Sequence, residues 1–161
     1  MNYDTANGPG LRTTLFVQGC PHHCKGCFNP GTWDYNGGEE FTNEVKEKLF
    51  SNVQKPGIRG FSILGGEPLA QRTDMYDLVL EMKNRFPDKD IWMWTGSVYE
   101  ELDYLQKEIV SKIDVLVDGP FIEEEKDIRL VNKGSKNQRI IDIKETLKSG
   151  VVTLWRDPYA K

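Results

Sequence analysis

The sequence predicts an α/β protein built on a mostly parallel sheet, a partial and open (βα) barrel. Three observations predict it. Short β-rich runs alternate with amphipathic segments along the chain, the pattern of successive βαβ units. At 161 residues the chain has too little length for a closed eight-unit barrel, which takes ~250. Residues suited to chemistry also fall in turns just after strands, where α/β folds gather ligands. One domain over 1–161 accommodates all of this.

Composition narrows the function classes. With 38% apolar and 29% charged residues, neither disorder nor a fibrous fold is indicated. Twenty-one basic against twenty-five acidic residues leave a net charge of −4 and no basic stripe, so no nucleic-acid partner is expected. No apolar run approaches the ~20 residues of a membrane span, and Met1-Asn2-Tyr3-Asp4 lacks the regions of a signal peptide. No membrane association is expected, and reduced thiols in such a chain point to the cytoplasm.

The elements follow in order. Asn7-Gly8-Pro9-Gly10 is a turn, and Leu11 to Val17 is the first strand. Gln18-Gly19 then delivers the chain into Cys20-Pro21-His22-His23-Cys24-Lys25-Gly26-Cys27, which holds all three cysteines and both histidines. Residues 29–41 read as irregular, with Trp33 and Tyr35 available for packing, for shielding a metal centre or for a partner. Thr42 is a plausible N-cap for a helix carrying Val45, Leu49 and Phe50, and Lys55-Pro56-Gly57 ends it. Gly60 to Leu64 is the second strand, running directly into Gly65-Gly66-Glu67-Pro68. Glycines there let a backbone approach a ligand, and the Glu67 carboxylate can accept hydrogen bonds from an amino group.

Thr73 is expected to cap a helix to Phe86, with Met75, Leu78, Val79, Met82 and Phe86 on one buried face. Asp90 to Trp94 is the third strand. Ser97 and Glu100 have the spacing of a capping box for a helix with Val98, Leu102, Leu105 and Ile109 as its apolar stripe. Ile113 to Val117 is the fourth strand, and Glu123 to Glu125 a solvated face. Two further strands are expected at Gln138 to Ile143 and Val151 to Trp155.

The cysteine loop carries the chemistry. Three soft ligands packed this tightly suggest one metal centre. An iron–sulfur cluster is normally held by four thiolates, so a four-iron cluster here would leave one iron open. Zinc held by three cysteines with His22 or His23 also satisfies tetrahedral coordination. Buried structural thiols are a third reading, since i, i+4, i+7 spacing lines a helix face, although Gly26 and Asn29-Pro30 make a poor helix. An odd count speaks against a disulfide scaffold.

The C-x3-C-x2-C spacing resembles the cluster motif of the radical S-adenosylmethionine (SAM) superfamily. Gly65 to Pro68 resembles its Gly-Gly-Glu-Pro stretch. Gly26 before the third cysteine, with Phe28 after it, is similar to one branch, the activating proteins of anaerobic ribonucleoside-triphosphate reductase. That branch is also resembled at Asn7 to Arg12, Asp90 to Gly96, Leu116 to Phe121 and Gly134 to Arg139. Asn132-Lys133 departs from it, because family members carry Trp and Arg there.

The resemblance implies a barrel of the radical SAM type. Cys20, Cys24 and Cys27 would hold a [4Fe-4S] cluster, with SAM chelating the open iron. Gly26, Cys27, Phe28, Gly65, Gly66 and Glu67 would contact SAM, Glu67 at its amino end, and Thr95 would meet the nucleoside or simply lead into the helix. The implied reaction is reductive cleavage of SAM by one electron, giving a radical that abstracts hydrogen from a glycine of the reductase large subunit. A flavodoxin or ferredoxin would be the donor. Another small radical SAM enzyme would share the cluster loop and Gly65 to Pro68. It would not share Trp94-Thr95-Gly96 or Asn137-Gln138-Arg139.

Overall fold

The structure, a computed structural model, describes residues 1–158. Five strands form one sheet in sequential order: β1 (Arg12–Val17), β2 (Gly60–Gly65), β3 (Asp90–Trp94), β4 (Val115–Asp118) and β5 (Arg139–Asp142). The first four run parallel, and β5 is antiparallel to β4. The sheet does not close, with β1 and β5 at opposite edges. Helices α1 (Asn43–Val53), α2 (Arg72–Arg85) and α3 (Tyr104–Val110) make the crossovers, and α4 (Ile143–Ser149) follows β5.

Strand alternation sorts the side chains onto two unlike faces. Phe61, Ile63, Ile91, Met93, Leu116 and Ile141 meet the buried helix residues Phe50, Val53, Leu78, Val79, Met82 and Ile109 in one core. On the other face Trp92, Val115 and Val117 form a smaller cluster with Trp94, Ile140 and Trp155, to which no helix contributes. That second face is where a ligand can reach the strand ends.

Arg12 organises the amino edge of this second face. Its guanidinium is fully buried and donates to Ser62 Oγ (2.7 Å), Pro9 O (3.1 Å) and Phe61 O (3.1 Å), and it pairs with Asp90 at 2.6 Å. Burial lowers its pKa, opposed by the Asp90 charge. Together with Ser62 Oγ, which donates to Asn7 O (2.7 Å), it draws the Asn7 to Gly10 turn across β1 and β2.

Several expected boundaries are corrected. Thr42 does cap α1, accepting from Val45 N at 3.2 Å. α2, however, starts at Arg72 behind Gln71, so Thr73 lies inside the helix. Ser97 caps nothing. Its own N–H donates to Thr95 Oγ1 (3.1 Å) and Tyr99 N donates to Asp118 Oδ2 (2.8 Å), which diverts the chain into a single 3-10 turn, Tyr99–Glu101. α3 then begins behind Asp103, whose carboxylate takes Gln106 N (2.9 Å) while Gln106 Oε1 takes Asp103 N (3.1 Å). Residues 151–155 form one bridge, Leu154 to Ile141, rather than a strand. α4 was not anticipated, although Asp142 accepting Glu145 N (3.1 Å) and Gly150 at φ +75° are ordinary start and stop signals.

Candidate metal centre

A cavity of about 450 Å³ opens at the carboxyl ends of β1 to β4, within the range of small-molecule sites. Phe16, Leu64 and Trp94 line it from the second face of the sheet, and Cys20, Cys24 and Cys27 line it from the loop after β1. The N-terminal turn closes one side through Ala6 and Asn7. The segment after β4 closes another through Phe121, Asn132 and Gln138.

The thiol loop has no regular structure, so its anchors matter. At its start Gly19 N donates to Thr32 O (2.8 Å), Cys20 N to Trp33 O (3.2 Å) and Glu67 N to Gly19 O (2.7 Å). At its end Phe28 rests on Phe121, with ring centroids 5.0 Å apart, and on Gly134, where a Cβ would come within 2.6 Å of its ring. Within it, His23 sits at φ +48° and stacks on Trp33 at 4.6 Å. Cys20 is buried and burial pushes its thiol pKa up, opposed by hydrogen bonds from His22 and His23 N–H. All three cysteines are free thiols.

The Gly65-Gly66 pair lines the cavity, but the demand for glycine comes from the protein itself. Gly65 has φ +114°, and a Cβ there would lie 2.6 Å from Val17 N and O. One on Gly66 would strike Gly19 O. The turn is thus locked against the end of β1, as Gly66 N donating to Val17 O at 2.8 Å also requires.

Glu67 lies behind the wall. It is 2% exposed and does not line the cavity. Both oxygens are occupied, by Thr95 Oγ1 (2.7 and 2.9 Å), Gly96 N (2.8 Å), Leu69 N (3.0 Å) and His22 Nε2 (2.8 Å). That bond raises the His22 pKa, with burial opposing it. Cys27, Phe28, Gly65, Gly66 and Thr95 line the cavity as expected positions would, whereas Gly26 lies outside it against Glu123. Residues outside the expected cluster and SAM contacts also line it: Asn7, Trp94, Asn132, Lys133 and Gln138. All five lie in stretches compared above with the family, and Gln138 belongs to the Asn-Gln-Arg run. Its Oε1 accepts Gly134 N (2.8 Å) and Ser135 N (3.1 Å), and Nε2 donates to Gly119 O (3.1 Å).

Among the described residues no three His, Cys, Asp or Glu side chains converge as ligands of a single ion. The donor set is the three free thiols that line the cavity. Soft thiolates suit zinc, copper(I) and iron–sulfur clusters.

Fold and loop together define the class. Residues 6–141 match the family model of a 4Fe-4S single cluster domain. The anaerobic ribonucleoside-triphosphate reductase-activating protein of Vibrio cholerae is 45% identical over 150 residues, covering 87% of this chain and 97% of its own. Those of Escherichia coli K12 (42% over 148 residues, covering 86% and 96%) and of Enterobacteria phage T4 (40% over 148 residues, covering 87% and 93%) carry the same name. The chain belongs to the family of anaerobic ribonucleoside-triphosphate reductase-activating proteins.

Proposed function

We propose that this chain is a single-domain radical SAM activase that generates a glycyl radical on the large subunit of anaerobic ribonucleotide reductase. The observation that carries the reading is the meeting of three thiols and the Gly65-Gly66 turn in one cavity at the carboxyl edge of an open sheet. On this reading the open sheet, with its core helices packed on one face, would be a shortened form of the radical SAM barrel.

Cys20, Cys24 and Cys27 would hold a [4Fe-4S] cluster, with one iron left for SAM. When bound, the pair supplies one-electron reductive cleavage of SAM and hence hydrogen abstraction from a glycine. The chain's own residues do the rest. Cys20 is held deepest, fixed by backbone bonds to residues 32 and 33. Gly65 and Gly66 present a side-chain-free wall to the ligand. Thr95 and Trp94, at the end of β3, bound the cavity where the nucleoside would lie. Trp33 and Phe28 add aromatic surface to the cavity beside the thiols. The partner would be the reductase large subunit, and a flavodoxin or ferredoxin in the cytoplasm would supply electrons.

The test is direct. The reconstituted protein, mixed anaerobically with SAM, a reductant and the large subunit, should give a glycyl-radical signal by electron paramagnetic resonance. Absence of that signal, in protein whose iron content shows a loaded cluster, counts against the reading.

A further inference from the structure

Between Cys20 and Cys27 the side chain that ties the loop to the strand ends is His22, which meets Glu67 and, at 3.5 Å, Ser97 Oγ, while the exposed Lys25 pairs with Glu123 at 3.6 Å. A cluster held by three thiols makes no demand on His22. His22 Nε2 lies 2.8 Å from Glu67 Oε1. Its ring lies over Gly96, where a Cβ would come within 2.7 Å of His22 Cδ2. Glu67 in turn holds the ends of two strands, taking Leu69 N after β2 and the Thr95 hydroxyl and Gly96 N–H after β3. The carboxylate is therefore a junction of three segments, and the imidazole carries its connection to the thiol loop. His22 lines the cavity and Glu67 does not.

The geometry points to His22 as a positioning residue that, through Glu67, fixes the Cys24 side of the thiol loop above the ends of β2 and β3. Cys20 does not need it, since its own N–H is held by Trp33 O and the preceding Gly19 is bonded to residues 32 and 67. Cys24 is reached only after a left-handed residue, His23 at φ +48°, and its recorded backbone contact is local, Cys27 N donating to Cys24 O at 3.1 Å. A left-handed non-glycine residue persists where its surroundings hold it. Here the His22 bond on one side and the stacking of His23 on Trp33 supply that hold. On this account Glu67 serves the site by bracing the loop from behind, and Gly96 is small because the imidazole must lie on it.

The inference rests on the reading that the three thiols bind a cluster, so its test begins without one. In the metal-free, reduced chain, alkylation of each cysteine by iodoacetamide is followed by mass spectrometry. His22→Ala should speed Cys24 alkylation on the order of tenfold, the factor expected from loss of one charge-assisted hydrogen bond, and leave Cys20 unchanged. His22→Gln, whose side-chain amide can donate to Glu67, should restore the slow rate. In reconstituted protein His22→Ala should alter the resonance line shape of the reduced cluster, and His22→Gln should return it. Unchanged Cys24 reactivity, equal acceleration of all three thiols, or failure of glutamine to rescue would each overturn the assignment. A wild-type chain that takes up no iron would instead overturn the functional reading and leave the alkylation result standing.

Discussion

Single residues here carry unequal weight. Cys24→Ala should abolish iron loading and SAM cleavage together, read from iron content and from methionine release; a variant with full iron and turnover would remove Cys24 from the ligand set. Arg12 presents a different kind of dependence. Its buried guanidinium is neutralised by Asp90 at 2.6 Å. Removing one partner of a buried pair leaves a charge without compensation, so Asp90→Ala should cost about 3 kcal/mol in urea unfolding. A cost within error of zero would mean that Ser62, Pro9 and Phe61 hold the guanidinium unaided. The sequence pointed to the thiol motif by type and spacing and to Gly65, Gly66 and Thr95 through the resemblance, and the structure places all of these on one cavity. What Glu67 does was not. A carboxylate after a glycine pair looks the same in sequence whether it faces a ligand or a histidine, and only the fold brings His22 to it across 45 positions.

At the scale of elements, strands were easier to read than helix ends. β3 was expected at its observed bounds, because apolar residues bounded by Pro87-Asp88 and Thr95-Gly96 leave little choice. The start of α3 was misplaced because Ser97 and Glu100 have capping-box spacing but lose their backbone partners to Thr95 and Asp118. Tertiary bonds outbid a local pattern. The prediction follows that Asp103→Ala lowers Tm by a few degrees, on the scale of lost N-caps, while Ser97→Ala leaves it nearly unchanged. The reverse result would restore Ser97 as the cap. The parallel order of β1 to β4 was implied by strand–helix alternation. The antiparallel turn of β5 was not, since the segment from Gly119 to Gln138 contains no crossover helix to impose a direction.

At the scale of the molecule, the open sheet is tied together across its far edge by charge. Arg139 on β5 reaches Asp118 on β4 (2.6 and 3.0 Å) and Glu100 before α3 (2.7 and 3.0 Å). The guanidinium holds the Glu100 carboxyl down at about 2, against an ordinary 4.5, and the two carboxylates raise the Arg139 pKa. A carboxyl whose pKa is lower folded than unfolded stabilises the fold fully above the unfolded value and loses that contribution as pH falls through the folded one. Stability should therefore decline between about 4.5 and about 2, modestly because Glu100 is largely in solvent, and Glu100→Gln should flatten that part of the profile. An unchanged acid limb in pH-dependent unfolding would contradict the linkage. No helix among the described residues is long and apolar enough to cross a membrane.

If the cavity at the carboxyl edge holds an iron–sulfur cluster with one iron left for SAM, SAM must perturb the spectrum of that cluster. Electron paramagnetic resonance of the anaerobic, iron-reconstituted and dithionite-reduced protein, recorded with and without SAM, tests it most directly. A reduced-cluster signal whose shape changes when SAM is added is the expected result. No cluster signal, together with stoichiometric zinc in the metal analysis, would contradict it.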